Sequence, residues 1–139
     1  MSGNIGYLDA KYTQVNPLAR ATTGRQLPKT PRLKFSLSPD VHTNLPNGAT
    51  LRLGVDYTHT DEMFNDVQNT PLLARPKEDM INASTAIAAP GGRVTFTIGG
   101  TNLTDRRFIT TGQPQIAGGI IFGTNKAPRE WYATVGLKY

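Results

Sequence analysis

Apolar and polar residues alternate along much of the chain, most regularly between residues 31 and 60. Odd positions in that segment carry mainly apolar side chains and even positions mainly polar ones, with a break at Pro46-Asn47-Gly48. Alternation with a period of two is typical of a β-strand that has one apolar face. The pattern therefore predicts two amphipathic strands joined by a tight turn.

The turn sequence determines how these two strands pair. Pro restricts φ at the first turn position, Asn tolerates the second, and Gly adopts the left-handed conformation at the third. A two-residue Asn-Gly loop would place Leu53 opposite His42 and mix the two faces. We therefore predict a three-residue loop, with the cross-strand pairs Leu45–Ala49, Val41–Leu53 and Leu37–Tyr57 on the apolar face and His42–Arg52 and Ser38–Asp56 on the polar face.

Four further strands follow from the same alternation. They run approximately over residues 5–13, 81–89, 94–100 and 130–139. Their apolar positions are Leu8, Ala10 and Tyr12; Ile81, Ala83, Thr85, Ile87 and Ala89; Val94, Phe96, Ile98 and Gly100; and Trp131, Ala133, Val135, Leu137 and Tyr139. The predicted fold class is all-β, an antiparallel up-and-down meander of about six long strands.

The predicted connections alternate in length. Residues 14–30, 61–77 and 109–128 form long connections, whereas residues 46–48 and 90–93 form tight turns. Outer-membrane β-barrels have long loops at one end and short turns at the other, and strands of about 9–12 residues suit a tilted crossing of a bilayer. One interpretation is a segment of a transmembrane β-barrel with its C-terminus on the periplasmic side. The alternative is a soluble antiparallel β-barrel module that binds a small apolar ligand.

Aromatic residues favour the membrane interpretation. Tyr12, Tyr57, Trp131 and Tyr139 fall towards the ends of predicted strands on the apolar face. Transmembrane barrels carry aromatic girdles in those positions, at the two membrane interfaces.

Composition narrows the classes of function. The 139 residues carry a net charge of +5, but Lys and Arg are scattered along the chain. The sequence contains no cysteine that could form a disulfide or a metal site. A binder of single-stranded nucleic acid would need aromatic side chains on the polar, basic face, where Tyr132 and Tyr7 are the main candidates. We therefore expect no nucleic-acid partner. No segment approaches the ~18 consecutive apolar residues of a membrane helix.

Enzyme chemistry is not expected either. His42 and His59 fall on opposite faces of the predicted hairpin, so they share no site, and the chain contains no Gly-x-Ser-x-Gly nucleophile elbow. We expect no catalytic residue, no cofactor and no bound metal ion.

Several segments resemble the C-terminal end of a TonB-dependent outer-membrane receptor, in matching order along essentially the whole chain, residues 1–139. The more specific motifs are Asn102-Leu103-Thr104-Asp105, before a long loop, and Arg129-Glu130-Trp131, at the start of the last strand. The other segments are Ile5-Gly6-Tyr7-Leu8-Asp9-Ala10, Leu27-Pro28-Lys29-Thr30-Pro31 and Asn69-Thr70-Pro71-Leu72-Leu73-Ala74-Arg75-Pro76.

The resemblance implies the last six strands of a barrel of about 22 strands in the bacterial outer membrane. Such receptors import a scarce ligand, for example a siderophore, cobalamin or a glycan. The implied partners are outer-membrane lipid, the rest of the barrel and its plug, the TonB complex through the receptor's N-terminal region, and the barrel-assembly machinery. The terminal residues Trp131, Val135, Leu137 and Tyr139 resemble the signal that this machinery reads, although Phe is the commoner last residue.

Charged residues on the predicted polar face would then line the barrel lumen or contact the plug. Asp40 lies diagonal to Arg52 on the neighbouring strand, within reach of an ion pair. The alternative is an ordinary solvated charged face. The residues concerned are Arg32, Lys34, Asp40, Arg52 and Asp56.

Residues 1–139 contain no segment that resembles a plug domain, a TonB box or a secretory signal. Six strands are fewer than the ~8 of the smallest membrane barrels, and an open sheet edge in hydrocarbon costs several kcal/mol for each unpaired backbone group. We therefore expect a truncated or split gene product that does not transport a ligand by itself.

Overall fold

The computed structural model of the protein describes residues 1–115 and 119–139, and in these residues the chain is all β apart from one 3-10 helix at Pro71–Leu73. The strands are β1 (Ser2–Tyr7), β2 (Leu33–Ser38), β3 (Asp40–Asn44), β4 (Thr50–Thr60), β5 (Met63–Phe64), β6 (Ala74–Arg75), β7 (Glu78–Ala88), β8 (Val94–Thr101), β9 (Ile109–Gln115), β10 (Ile120–Asn125) and β11 (Glu130–Leu137). Among these residues no helix is long and apolar enough to cross a membrane.

One antiparallel sheet dominates the fold. Its order is β1-β2-β4-β7-β8-β11, and β3 continues β2 beyond Pro39 and pairs with β4. Within this sheet, each strand therefore lies beside the sheet strands that come before and after it in the chain. This order confirms the predicted antiparallel meander. Two small hairpins, β5–β6 and β9–β10, lie outside this sheet. In the described part of the chain, β1 and β11 are its two edges.

The register predicted from the first turn is confirmed. Val41 pairs with Leu53 and Leu37 with Tyr57. At the turn, the Leu45 amide donates to the Ala49 carbonyl (2.8 Å), and Gly48 has φ of 80°. The ladder is interrupted at Ser38 and Pro39, so the predicted pair Ser38–Asp56 is not part of it. Proline has no backbone N–H to donate. The Pro39 carbonyl still accepts a bond from the Val55 amide at 3.1 Å.

The second predicted hairpin and the last strand also have the expected register. In the second hairpin Ala83 pairs with Gly100 and Ile87 with Phe96. Its turn includes Gly91 and Gly92, with φ of 80° and 70°. The last strand, β11, then runs back along β8, with the pairs Trp131–Gly100, Ala133–Ile98, Val135–Phe96 and Leu137–Val94.

The boundaries of the first strand were predicted wrongly. β1 ends at Tyr7, and its apolar-face positions are Gly3, Ile5 and Tyr7, paired with Leu37, Phe35 and Leu33. The predicted positions Leu8, Ala10 and Tyr12 lie beyond it. Since β2 begins at Leu33, the chain after Tyr7 has no strand partner in the sheet. It instead forms bonds with the returning segment, such as Tyr12 N–H to Arg25 O at 3.0 Å.

Three other elements differ from prediction. β7 begins at Glu78, three residues before the predicted start, because its first residues pair with the end of β4. Part of the connection predicted over 109–128 forms the β9–β10 hairpin, within which residues 116–118 lie outside the described residues. β11 ends at Leu137, so Tyr139 lies beyond the last ladder pair.

The apolar face of the main sheet is exposed and continuous from strand to strand in its central part. One row across it consists of Val41, Leu53, Thr85, Ile98 and Ala133, each paired with the next. Its large side chains remain accessible: Leu53 is 46% exposed, Phe96 47% and Val135 63%. The buried apolar residues of the described chain lie elsewhere, at a turn or in the long connections: Ala49, Met63, Leu73 and Phe108. No second layer therefore covers this face in the described structure.

Candidate functional site at the loop end of the sheet

The two ends of the main sheet differ in structure. At the turn end, β3–β4 and β7–β8 are joined by tight turns. At the loop end, the long connections 8–32, 61–77 and 102–129 lie together. The buried polar residues of the described chain lie at the loop end: Thr60, Asn65, Asp66, Glu78 and Asn102. Most buried polar groups in proteins are hydrogen-bonded, so this end of the sheet contains the side-chain hydrogen bonds that define the structure of the connections.

Asn102 organises the exit of β8. It is 2% exposed and has a left-handed φ of 50°, a conformation that Asn tolerates better than most residues. Its Nδ2 donates to the carbonyls of Arg106 (3.0 Å) and Ala127 (2.9 Å), and its Oδ1 accepts from the Arg106 amide at 2.9 Å. One side chain thus satisfies three backbone groups from both ends of the last long connection.

The rest of this motif joins β8 to β7. The amide of Asn102 donates to Asn82 Oδ1 at 2.8 Å, and the amide of Leu103 donates to the Ile81 carbonyl at 2.8 Å. The Thr104 hydroxyl donates to the Asp79 carbonyl at 2.9 Å. The motif is therefore a structural turn that continues the pairing of β7 and β8 after the ladder ends.

Asp105 joins the same turn to the start of β11. Its Oδ1 accepts from the Arg129 amide at 3.0 Å, and its Oδ2 accepts from the Arg107 guanidinium at 3.3 Å. The hydrogen bond from the Arg129 amide, assisted by the nearby arginines, lowers the pKa of Asp105. Arg129 also donates from Nη1 to the Leu103 carbonyl at 3.4 Å. The two specific sequence motifs, far apart in the chain, thus form one network.

Two adjacent glycines seat the aromatic residues of β11. Gly99 pairs with Tyr132 and Gly100 with Trp131, on the polar and apolar faces respectively. A Cβ at Gly99 would overlap the Tyr132 ring, and one at Gly100 would lie 2.9 Å from Trp131 Cε3. Each ring therefore covers a position where a side chain is missing, as aromatic residues do for glycines in other sheets.

The connection 61–77 is held by its own side chains. Asp66 accepts from the Thr70 amide (2.9 Å) and the Thr70 hydroxyl (2.7 Å), which begins the short 3-10 helix. Asn69, with φ of 51°, exchanges two side-chain hydrogen bonds of 3.0 Å with the backbone of Gln26. These bonds fasten the connection 61–77 to the connection 8–32.

A largely buried ion pair lies at the end of this connection, where β7 begins. Arg75 contacts Glu78, and its Cζ lies 4.2 Å from the centroid of the Phe108 ring. Burial lowers the pKa of Arg75. Arg75 Nε, Glu78 Oε2 and Asn65 Oδ1 find no hydrogen-bond partner among the described protein atoms, and Asn65 Nδ2 donates to the Leu73 carbonyl at 2.9 Å. This group was not predicted, because its residues lie in or next to two long connections that lack regular alternation.

The charged residues predicted on the polar face occupy two regions. Arg52 Nε donates to Asp40 Oδ2 at 2.8 Å, so the predicted diagonal ion pair is present, and His42 also contacts Asp40. Asp40, Arg52 and Asp56 border one open cavity of about 560 Å³. Lys34 pairs with Thr60 near the loop end. Arg32 precedes β2 and faces Asp9, 3.6 Å away.

A polar cluster on the apolar face at the loop end was not predicted. The Tyr57 hydroxyl donates to Asp79 Oδ1 at 2.6 Å, and His59 Nδ1 lies 2.7 Å from the same oxygen. His59 Nε2 lies 3.3 Å from Asp61 Oδ1. Since carboxylates only accept, both His59 contacts are hydrogen bonds when the imidazole carries two protons. An earlier start of β7 in the prediction would have placed Asp79 opposite His59.

Within residues 1–115 and 119–139, no group of three or more His, Asp or Glu side chains is arranged to hold a metal ion.

The residues proposed as an assembly signal share the apolar side of β11 and the chain beyond it. Trp131 lies at the loop end, whereas Leu137 and Tyr139 lie at the turn end and are 73% and fully exposed. Val135 lies between them, opposite Phe96.

Comparison with known proteins gives one informative likeness. No protein-family model matches the sequence, and no curated protein matches it. Among solved structures, the chain is similar to BauA, the ferric preacinetobactin receptor from Acinetobacter baumannii, with a TM-score of 0.73 and 21% sequence identity. The likeness covers 94% of this chain and 18% of the receptor chain. At this identity it shows the fold: the six-strand meander is similar in structure to a segment of the ferric preacinetobactin receptor.

Proposed function

We propose that the chain is a segment of an outer-membrane receptor barrel of the TonB-dependent type, with its apolar face in contact with lipid. The observation that carries this proposal is the continuous, exposed apolar face of an open antiparallel sheet. In water such a face is unfavourable by about 25 cal/mol for each Å² of apolar surface. In a bilayer the same face is stabilising, and the ladder satisfies the backbone groups.

The two ends of the sheet support an orientation. Outer-membrane barrels place long loops outside the cell and short turns in the periplasm. The loop end, with the Asn102 network, would then be extracellular, and Tyr139 periplasmic. Tyr7, Phe35, Tyr57 and Trp131 would form the outer aromatic girdle on the apolar face.

The polar face would line the lumen. Its ion pair between Asp40 and Arg52 and the cavity shared with Asp56 would contact the plug or the ligand in transit. The ligand class is a scarce nutrient of the siderophore, cobalamin or glycan kind, and the similarity to the ferric preacinetobactin receptor favours the first of these. The rest of the barrel would pair with β1, while TonB would act through the receptor's N-terminal region and the assembly machinery would insert the barrel.

Cysteine labelling tests the membrane placement. The chain has no cysteine, so maleimide labelling of a single-cysteine variant reports only on the introduced residue. Val55→Cys and Asp56→Cys are neighbours on β4 that face opposite sides at the same depth. In chain folded into lipid vesicles, we expect a water-soluble maleimide to label Asp56→Cys and leave Val55→Cys unlabelled until detergent is added. Equal labelling of the two positions would contradict the proposal.

A soluble β-barrel that binds an apolar ligand is the second candidate, and no observation of the structure favours it over the first. It is separated from the membrane barrel by its behaviour in water. The chain should aggregate without detergent and become monodisperse with β-rich circular dichroism when detergent is present. A folded, monodisperse chain in detergent-free buffer would favour the soluble module.

A further inference from the structure

The last long connection, residues 102–129, carries most of the excess positive charge of the chain. It contains four cationic side chains and a single carboxylate, that of Asp105, so its formal charge is +3 of the net +5. The cations lie near its two ends: Arg106 and Arg107 at the first, Lys126 and Arg129 at the second. A segment with one predominant sign of charge favours a partner of the opposite sign.

The fold brings the two ends of this connection together. Asn102 Nδ2 donates to the carbonyls of Arg106 (3.0 Å) and Ala127 (2.9 Å), and the Lys126 amide donates to the Phe108 carbonyl at 2.9 Å. A cleft of about 310 Å³ lies between the outgoing and the returning segment, at the lower end of the range of about 300–1,000 Å³ typical of ligand pockets. The residues that line it are Arg107, Phe108, Ile109, Asn125, Lys126 and Pro128.

The charges beside the cleft favour an anion. In the described part of the chain, its lining contains two cations and no acidic residue. Arg107 has one ionic contact, of 3.3 Å to Asp105 Oδ2, and the other oxygen of that carboxylate accepts from the Arg129 amide. The ion pairs of the described residues leave Lys126 without a carboxylate partner. Two like charges beside one cavity repel each other, and an anion between them removes this repulsion.

The other walls of the cleft indicate what the anion should carry. Phe108, Ile109 and Pro128 supply apolar surface, and Asn125 supplies an amide. The Phe108 ring is packed against Arg75, whose Cζ lies 4.2 Å from its centroid. An apolar wall stabilises a hydrocarbon group but does not compensate a small inorganic anion for the water that it loses. A carboxylate attached to a small apolar body can use both the charged and the apolar parts of the lining.

We propose that this cleft binds a small organic carboxylate, with the carboxylate on Lys126 and Arg107 and the apolar body against Phe108 and Pro128. The site goes beyond the proposed function, because its residues lie outside the strands of the main sheet. Neither the apolar face nor the polar face of that sheet takes part in it. If the proposed function holds, the cleft opens on the extracellular side.

Nuclear magnetic resonance of the full chain, folded in a neutral detergent, tests the site through the backbone amide of Lys126 and the side-chain amide of Asn125. The probe is benzoate. Benzamide has the same ring without the charge, and inorganic phosphate has the charge without the ring. We expect benzoate to shift both signals in a saturable titration, with an affinity about tenfold higher than that of either comparison compound. A factor of this size is expected of one charge-assisted hydrogen bond.

Variants assign the charge to the cleft. Lys126→Gln should lower the affinity for benzoate about tenfold and leave that for benzamide unchanged, while its backbone amide still pairs with the Phe108 carbonyl. Lys126→Arg should keep the preference for benzoate. Lys77→Gln is the matched control, because it removes the same charge at the same end of the sheet but beside a different cavity. It should bind benzoate as the wild type does.

Three outcomes would overturn the site. Equal affinities for benzoate and benzamide would show that charge plays no part, and phosphate binding as tight as that of benzoate would show that the apolar wall plays none. Equal losses in Lys126→Gln and Lys77→Gln would attribute binding to the general positive potential of the loop end. None of these results changes the expected labelling of Val55→Cys and Asp56→Cys, so failure of the site and failure of the membrane placement are distinguishable.

Discussion

At the scale of single residues, Asn102 combines burial, a left-handed backbone and side-chain hydrogen bonds to both ends of the last long connection. Alanine at this position would leave the backbone groups of Arg106 and Ala127 unpaired and would keep the unfavourable φ. We expect Asn102→Ala to lower the free energy of unfolding in detergent by about 2–4 kcal/mol.

Asn102→Gly provides the control for this prediction, because glycine accepts the left-handed conformation but forms no side-chain hydrogen bond. We expect it to be less destabilising than alanine by about 1 kcal/mol. Urea titrations of both variants measure the difference. Wild-type stability in Asn102→Ala would show that the network contributes nothing.

The contribution of the same turn to stability depends on pH through the ionisation of Asp105. Its pKa is lowered in the folded chain by the Arg129 amide and the nearby arginines, so the charged carboxylate stabilises the fold above its unfolded pKa of about 3.9. This stabilisation disappears as the pH falls through the lower, folded pKa. Asp105→Asn keeps an acceptor for the Arg129 amide but lacks the charge. We expect wild type to be more stable at pH 7, and the difference to decrease below about pH 4 and to vanish below the folded pKa. A constant difference in urea titrations would contradict this.

At the scale of elements, the β3–β4 turn depends on one backbone conformation. Gly48 has φ of 80°, and an alanine there costs about 1–2 kcal/mol. Gly54→Ala is a matched control within β4, because its added Cβ would make ordinary contacts of 3.6 Å with Asp40 and Ser84. We expect Gly48→Ala to destabilise the chain in urea titrations and Gly54→Ala to leave its stability nearly unchanged. Similar losses in both variants would argue against the role of the turn.

The terminal segment carries the prediction about assembly. Tyr139 lies beyond the ladder and is fully exposed, so its side chain is available to a partner and contributes nothing to the packing of the sheet. We expect Tyr139→Ala to reduce several-fold the protease-protected fraction of the chain in vesicles that contain the barrel-assembly machinery. Lys138→Ala, on the other face, should have no such effect. Unchanged insertion of Tyr139→Ala would remove the assembly role from the terminus.

The strands that were predicted correctly from the sequence are those with regular alternation of apolar and polar residues. The β3–β4 and β7–β8 hairpins were predicted to the correct register, because a shift of one residue would have reversed both faces. β1 was misplaced, since Leu8, Ala10 and Tyr12 alternate as regularly as Gly3, Ile5 and Tyr7 but lack a partner strand. The His59–Asp79 contact was missed because β7 was predicted to begin at residue 81, after Asp79. The Arg75–Phe108 contact could not be predicted, because it joins two long connections that lack regular alternation.

At the scale of the whole molecule, the open sheet is the feature with the largest energetic consequence. In the described chain β1 and β11 are edges, and in hydrocarbon each unpaired backbone group on an edge costs several kcal/mol. The sheet has six strand positions that alternate in direction, so β11 of one copy lies antiparallel to β1 of a copy placed beside it. The ladder can therefore continue from copy to copy without a change of pattern.

We therefore expect the chain alone, folded in detergent, to form oligomers through its edges. The double variant Ile5→Cys and Val135→Cys places one thiol near each edge, and it should form disulfide-linked multimers on mild oxidation. Leu53→Cys, in the centre of the apolar face, should remain unlinked under the same conditions. A monomer in light scattering, without cross-links, would mean that six strands close on themselves, below the ~8 of the smallest known membrane barrels. Oligomers would instead show that these edges are built to pair with further strands, as a segment of a larger barrel requires.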